Sequence, residues 1–108
     1  MSCNRTGSDI VREFWGTTVE IELYIPHSTV QDLDALAQIG AGAAGLYGAL
    51  VEAGVISAGA LSGPLAVAVG SILVVYLGWI MYADNGCGVK VSGWITPVGF
   101  SGVTVSSQ

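Results

Sequence analysis

From Ala35 to Ala83 the chain carries one ionisable acid or base, Glu52, apart from its tyrosine hydroxyls. No other feature limits the fold as strongly. A run this long and this free of charge holds enough residues for two helices back to back, each able to cross a bilayer, and leaves only short polar segments at either side. The fold class to expect is α+β, with a hydrophobic helical hairpin over residues 28–83. An N-terminal strand and a C-terminal β-hairpin flank it and join in a small sheet.

Beyond a polar tail over residues 1–16, Val19, Ile21, Leu23 and Ile25 alternate with Thr18, Glu20, Glu22 and Tyr24, the period of a half-buried strand over 17–25. Pro26 ends that strand. Ser28 followed three residues later by Gln31 has the spacing of a capping box, and Asp32 and Asp34 then fall in the first turns, where the helix dipole favours acids. After the hydrophobic region, Asp84-Asn85-Gly86 is a stop signal. Val89, Val91 and Ile95 alternate with Lys90, Ser92 and Trp94, and Pro97-Val98-Gly99 turns the chain toward Val103 and Val105, which gives a β-hairpin over 88–106. The whole of residues 1–108 makes a single domain.

Within the hydrophobic region, Ala37, Ala41, Gly45 and Ala49 form a row of small residues at four-residue spacing, with Gly40, Ala44 and Gly48 parallel to it. Ala66 and Gly70 repeat the spacing in the second helix, which Ser62 caps and Pro64 opens. Small residues so spaced let two helix backbones approach closely, which is how helices associate in lipid. Pro64 to Tyr82 spans about 28 Å, close to the hydrocarbon thickness of a bilayer. Tyr76, Trp79 and Tyr82 gather at one end, as aromatic residues do at the lipid–water boundary. Gly54 to Gly63 forms the hairpin tip, kept apolar by Val55, Ile56 and Leu61. Glu52 stands beside that tip. As an insertion-tip carboxylate it would cost about 2.5–3.5 kcal/mol to bring into lipid, and burial would raise its pKa, so mild acid would ease insertion. The plainer alternative is a solvated carboxylate on a loop.

Composition narrows the functions. With three basic residues against eight acids and a net charge of −5, no cationic surface exists to attract nucleic acid. The 52% hydrophobic content suits a membrane-active chain. No catalytic constellation stands out, and no cofactor or metal is expected. His27 is the single histidine and has no spaced ligand partners, so it reads as a turn residue. Glu20 and Glu22 read as the solvated side of a strand rather than as paired catalytic carboxylates. No serine sits in a nucleophile elbow, and no glycine run carries the lysine of a phosphate loop. A disulfide between Cys3 and Cys87 would tie the tail to the end of the second helix, but spacing does not place the two within range, and two free thiols are the favoured state. Residues 1–16 lack an apolar core, so export would follow a leaderless or dedicated route, leaving the protein membrane-associated or secreted.

Gly40 to Gly48, Gly59 to Val75, the segment Asp84-Asn85-Gly86-Cys87-Gly88-Val89, then Trp94 and the closing Ser107-Gln108 follow one another in an order that resembles small bacteriocin-like and related short microbial proteins. In these a Gly/Ala-rich hydrophobic helical hairpin precedes an Asp/Asn-Gly turn and a short Trp-containing strand tail. The resemblance implies a non-enzymatic, membrane-active toxin whose partners are a lipid bilayer and further copies of itself. The negative charge departs from the pattern of most membrane-killing peptides and argues against attraction to anionic surfaces. The alternative from another class is a structural subunit that assembles into a filament, shell or viral coat through the same helices. A third arrangement folds the Gly/Ala helices onto the β platform in one core.

Overall fold

The computed structural model describes residues 4–12, 18–61, 63–96 and 98–108. Four strands, β1 (Gly7–Arg12), β2 (Val19–Ile25), β3 (Val89–Thr96) and β4 (Gly99–Ser107), form one antiparallel sheet in sequential order. Three helices, α1 (His27–Gln38), α2 (Ala43–Glu52) and α3 (Gly63–Ala83), all lie between β2 and β3 in the chain. Ile25, the last residue of β2, pairs with Val89, the first of β3. The helical layer therefore leaves the sheet and returns to it at one point.

The alternation in β2 is realised in full. Val19, Ile21, Leu23 and Ile25 are wholly buried, and the intervening residues are half-buried on the opposite face. Val89, Val91 and Ile95 of β3 and Val105 of β4 extend that inner face, on which Leu33, Leu46, Leu50, Ile72, Leu73 and Ile80 from the helices close the core. Each such side chain contributes about 1.5–3 kcal/mol by leaving water, which is how a glycine-rich helical layer is held in helical form.

The helical region departs from the expected hairpin: it holds three helices that do not form a clear hairpin. The expected first helix breaks at Ile39–Gly42. Gly40 takes a left-handed φ of +87°, its amide donates to the Ala37 carbonyl, and the Ala41 amide donates to Leu36. This pair of bonds is a Schellman ending. The same ending recurs after α2, where Gly54 (φ +79°) donates to Val51 and Val55 donates to Leu50. Glycines that read as a packing row are thus partly helix stops. The helix start also differs. Pro26, not Ser28, occupies the cap position of α1, no side chain caps it, and no acid lies in its first turn.

A second departure lies in the polar tail, where residues 7–12 form β1 on the outer side of β2. Ile10, opposite Ile21, packs against the core, while positions 8 and 12, which share its parity along the strand, are Ser and Arg and leave no apolar period to read in the sequence. Residues 13–17, which include the start of the expected 17–25 strand, and Ser62 lie outside the described residues. A third departure concerns sulfur: Cys87 is disulfide-bonded, not a free thiol. Cys3, the other cysteine of the sequence, lies outside the described residues.

Candidate functional site

α3 is the one helix among the described residues long and apolar enough to cross a membrane, and a buried core helix has the same properties. Its two sides serve different ends. Leu65, Val69, Ile72, Leu73 and Ile80 enter the core. Gly70 seats α3 against α2 so closely that a Cβ there would lie 2.2 Å from the Ala43 carbonyl oxygen. Val67, Val74, Val75, Trp79, Met81 and Tyr82 remain exposed, from 41% for Met81 to 89% for Tyr82. With no charged residue between Gly63 and Ala83, the exposed apolar side chains run from Val67 to Tyr82, about 23 Å, around Ser71, whose hydroxyl donates to the Val67 carbonyl. Exposed apolar surface is where contacts with lipid or with protein form when they form.

The expected site residues distribute unevenly over this layer. Gly70 is buried at the α2–α3 contact, and Ala66 is half-buried and packs against the core. Ala37 and Ala49 are half-buried, Ala41 lies in the break between α1 and α2, and Gly45 is exposed. The four-residue row is therefore not one continuous seam. The aromatic cluster also divides. Tyr76 turns inward and meets Phe100 of β4 edge-on at 6.0 Å between ring centroids while keeping ring contact with Trp79 at 6.3 Å, and Trp79 and Tyr82 are themselves exposed. Glu52 is the last residue of α2 and is exposed, beside an open cleft shared with Asp32, Ala35, Leu36, Ala49 and Ala53. The apolar residues of the expected tip, Val55, Ile56 and Leu61, are buried in the core. In this fold Glu52 does not lead an exposed greasy tip.

Where the helical layer joins the sheet, a polar knot closes the gap. His27 at the start of α1 pairs through Nδ1 with Asp84 just after α3. Asp84 also accepts hydrogen bonds from the Gly86 and Gly88 amides, both at 3.0 Å. Asn4 accepts from the His27 amide at 2.7 Å and donates to Gly86, and the Gln108 side-chain amide donates to Arg5, Ile25 and Val89 carbonyls. Ser107 donates to the Ala83 carbonyl at the end of α3. Sequence reading found Asp84 as a helix stop and His27 as a turn residue, and missed that they meet. Only their positions at the two ends of one insertion hinted at it.

Burial of the Asp84 carboxyl pushes its pKa up, but the His27 hydrogen bond, the two backbone amides and the charge of His27 outweigh that and hold it below its ordinary value of 3.8. A folded-state pKa below the unfolded one means that the carboxylate stabilises the fold at neutral pH, and that this contribution disappears as pH falls through the folded value, below 3.8. Asp84→Asn is therefore expected to cost about 2 kcal/mol at pH 7. In urea melts against pH, the gap between wild type and variant should close under strong acid. A gap independent of pH would contradict the assignment.

Elsewhere, Glu20 accepts from the Trp94 indole at 3.3 Å, and Glu22 accepts from Tyr24 at 3.1 Å and lies 3.7 Å from the Lys90 ammonium, so both acids sit in the outer polar face of the sheet. Among the described residues no group of three His, Cys, Asp or Glu side chains is placed to hold a metal ion. A scan against protein-family models finds no match, and searches of curated proteins and of solved structures find none either.

Proposed function

We propose that this is a membrane-active, non-enzymatic protein, in its sharpest form a bacteriocin-like toxin, whose helical layer meets a bilayer through the outer face of α3. The observation that carries this reading is the charge-free exposed stripe of Val67, Val74, Val75, Trp79, Met81 and Tyr82. Trp79 and Tyr82 at its C-terminal end suit the depth of lipid headgroups. Topology supports the next step. Because residues 27–83 leave and rejoin the sheet at adjacent register positions, the layer can swing away without breaking a strand pair. α3 would then cross the bilayer with the shorter α2 packed beside it, and further copies would associate through the small residues of α2 and α3, since two helices cannot enclose water. The disulfide of Cys87 fits an oxidising compartment outside the cytosol. With a net charge of −5, zwitterionic rather than anionic lipid is the fitting target.

Dye release from zwitterionic liposomes tests the reading. The purified chain is expected to release trapped dye, and Gly48→Leu to suppress release. A Cβ at Gly48 meets nothing within 4 Å in the fold, and a side chain there would block close helix approach in an assembly. No release at any pH, or release unchanged in Gly48→Leu, would count against insertion and association respectively. Ordered polymers in detergent-free buffer without lipid would favour the structural-subunit alternative, which the same exposed stripe supports.

A further inference from the structure

The helices pack against the inner face of the sheet, and among the described residues no layer covers its outer face. On that face the register sets Asp9 directly opposite Glu22 and Glu20 directly opposite Trp94. Glu20 and Glu22 are two residues apart on β2, about 7 Å along the strand, so three carboxylates share one patch. Like charges set opposite one another destabilise a sheet, and a cation placed among them relieves that cost.

Two aromatic rings on this face stand in like surroundings and differ in what lies over them. Tyr24 donates to Glu22 at 3.1 Å; the Arg5 guanidinium lies 4.0 Å and the Lys90 ammonium 5.8 Å from its ring centroid, and Lys90 is 3.7 Å from Glu22. Trp94 donates to Glu20 at 3.3 Å and is 39% exposed. Among the described residues no cation lies over its ring, and none is within ion-pair distance of Glu20 or Asp9. The Tyr24 half thus holds cations of the chain itself between an aromatic face and a carboxylate, and the Trp94 half offers the same two elements to a cation from outside. A groove of about 290 Å³ lies beside Trp94, Ser92 and Gly102, and a second of about 350 Å³ reaches Asp9 and Val11, with Glu20 and Glu22 lining both.

We infer that this face binds an extended basic segment of a partner protein, with arginine at alternate positions in an Arg-X-Arg pattern. Alternate residues of an extended chain point the same way about 7 Å apart, which is the spacing of Glu20 and Glu22. Laid along β2, the segment stacks one guanidinium on Trp94 and forks it onto Glu20, and sets the other between Glu22 and Asp9. Both present contacts of Glu22 fall on Oε2, which leaves Oε1 to accept from the partner. Guanidinium fits better than ammonium, because its plane can lie on the indole while its edge donates two parallel hydrogen bonds to a carboxylate. The net charge of −5 draws such a segment in. This face and the outer stripe of α3 lie on opposite sides of the two-layer fold, so the inference stands whether or not the chain acts on membranes.

Fluorescence anisotropy of a dye-labelled, amidated Gly-Arg-Ser-Arg-Gly peptide, titrated with the whole chain at low salt, is the test. The wild type is expected to bind it, less tightly as salt rises, and to bind the same peptide with lysine in place of arginine more weakly. Trp94→Leu and Glu20→Gln should each weaken binding about threefold to fivefold. Asp9→Asn, an exposed change on the edge strand, should act in the same direction. Asp32→Asn with Glu52→Gln removes two charges from the helical layer and should leave the affinity unchanged. Circular dichroism establishes that each variant is folded. An independent readout is the indole N–H resonance that disappears in Trp94→Leu, which should shift as peptide is added to the wild type. No binding at low salt overturns the proposal, as does an affinity that Trp94→Leu leaves unmoved, an equal loss in the Asp32/Glu52 variant, or equal affinity for the lysine peptide.

Discussion

Gly70→Ala is expected to destabilise the protein by about 2–3 kcal/mol, an effect opposite in sign to the same substitution at Gly48. Glycine inside a helix is normally a liability, so replacing it with alanine gains up to about 1 kcal/mol. At Gly48 the new Cβ meets nothing within 4 Å, and that gain should appear. At Gly70 the Cβ would stand 2.2, 2.6 and 2.9 Å from the oxygen, carbonyl carbon and Cα of Ala43. All three are backbone atoms and cannot rotate aside, so α2 must move off α3 and loosen Leu46 and Leu50 in the core. For a chain of this size the melting midpoint should fall by about 10–20 °C, and further for Gly70→Val. Thermal melts of the three variants beside the wild type decide it. Equal shifts at positions 48 and 70 would show that the α2–α3 contact is not this close.

Loss of the disulfide is expected to cost more still, about 4 kcal/mol, for Cys87→Ser or for the wild type under reductant. A cross-link at Cys87 removes freedom from the unfolded state, which is the larger part of what a disulfide contributes. It also anchors the segment in which Asp84, Gly86 and Gly88 form the polar knot. Urea titration with and without reductant measures the effect. The wild type should shift to the midpoint of Cys87→Ser on reduction, and Cys87→Ser should not respond. A midpoint unmoved by reductant would contradict the cross-link's role.

What sequence could reveal followed from how local each signal is. The strand at Val19–Ile25 announced itself because its four inner residues are all apolar and its outer ones all polar. β1 did not, because only Ile10 of its inner-facing positions is apolar and its place in the fold depends on pairing with β2. The stop after Ala83 was visible in Asp84-Asn85-Gly86. The break after Gln38 was not, because a glycine that ends a helix and a glycine that lets two helices approach look the same in a Gly/Ala-rich run. Of the candidate site residues, Gly70 lies at a close helix contact, whereas Gly45 points outward. Which small residue faces a neighbour depends on helix phase, and the break at Ile39–Gly42 reset that phase. Tyr76 turns inward for a related reason, although it keeps ring contact with Trp79: Phe100, which it meets edge-on, arrives from a strand remote in sequence. The His27–Asp84 pair joins residues 57 positions apart and left no local trace.

Membrane activity of this chain requires that the uncharged outer stripe of α3 meet lipid. Flotation of the purified chain with zwitterionic vesicles measures this directly, with Val74→Glu as the comparison, since Val74 is half-exposed in the middle of the stripe and its replacement leaves the core intact. The wild type is expected to rise with the vesicles, and Val74→Glu to stay in the aqueous fraction with an unchanged melting midpoint. A wild type that remains in the aqueous fraction at neutral and mildly acidic pH, or a Val74→Glu variant that floats equally well, would contradict the membrane reading.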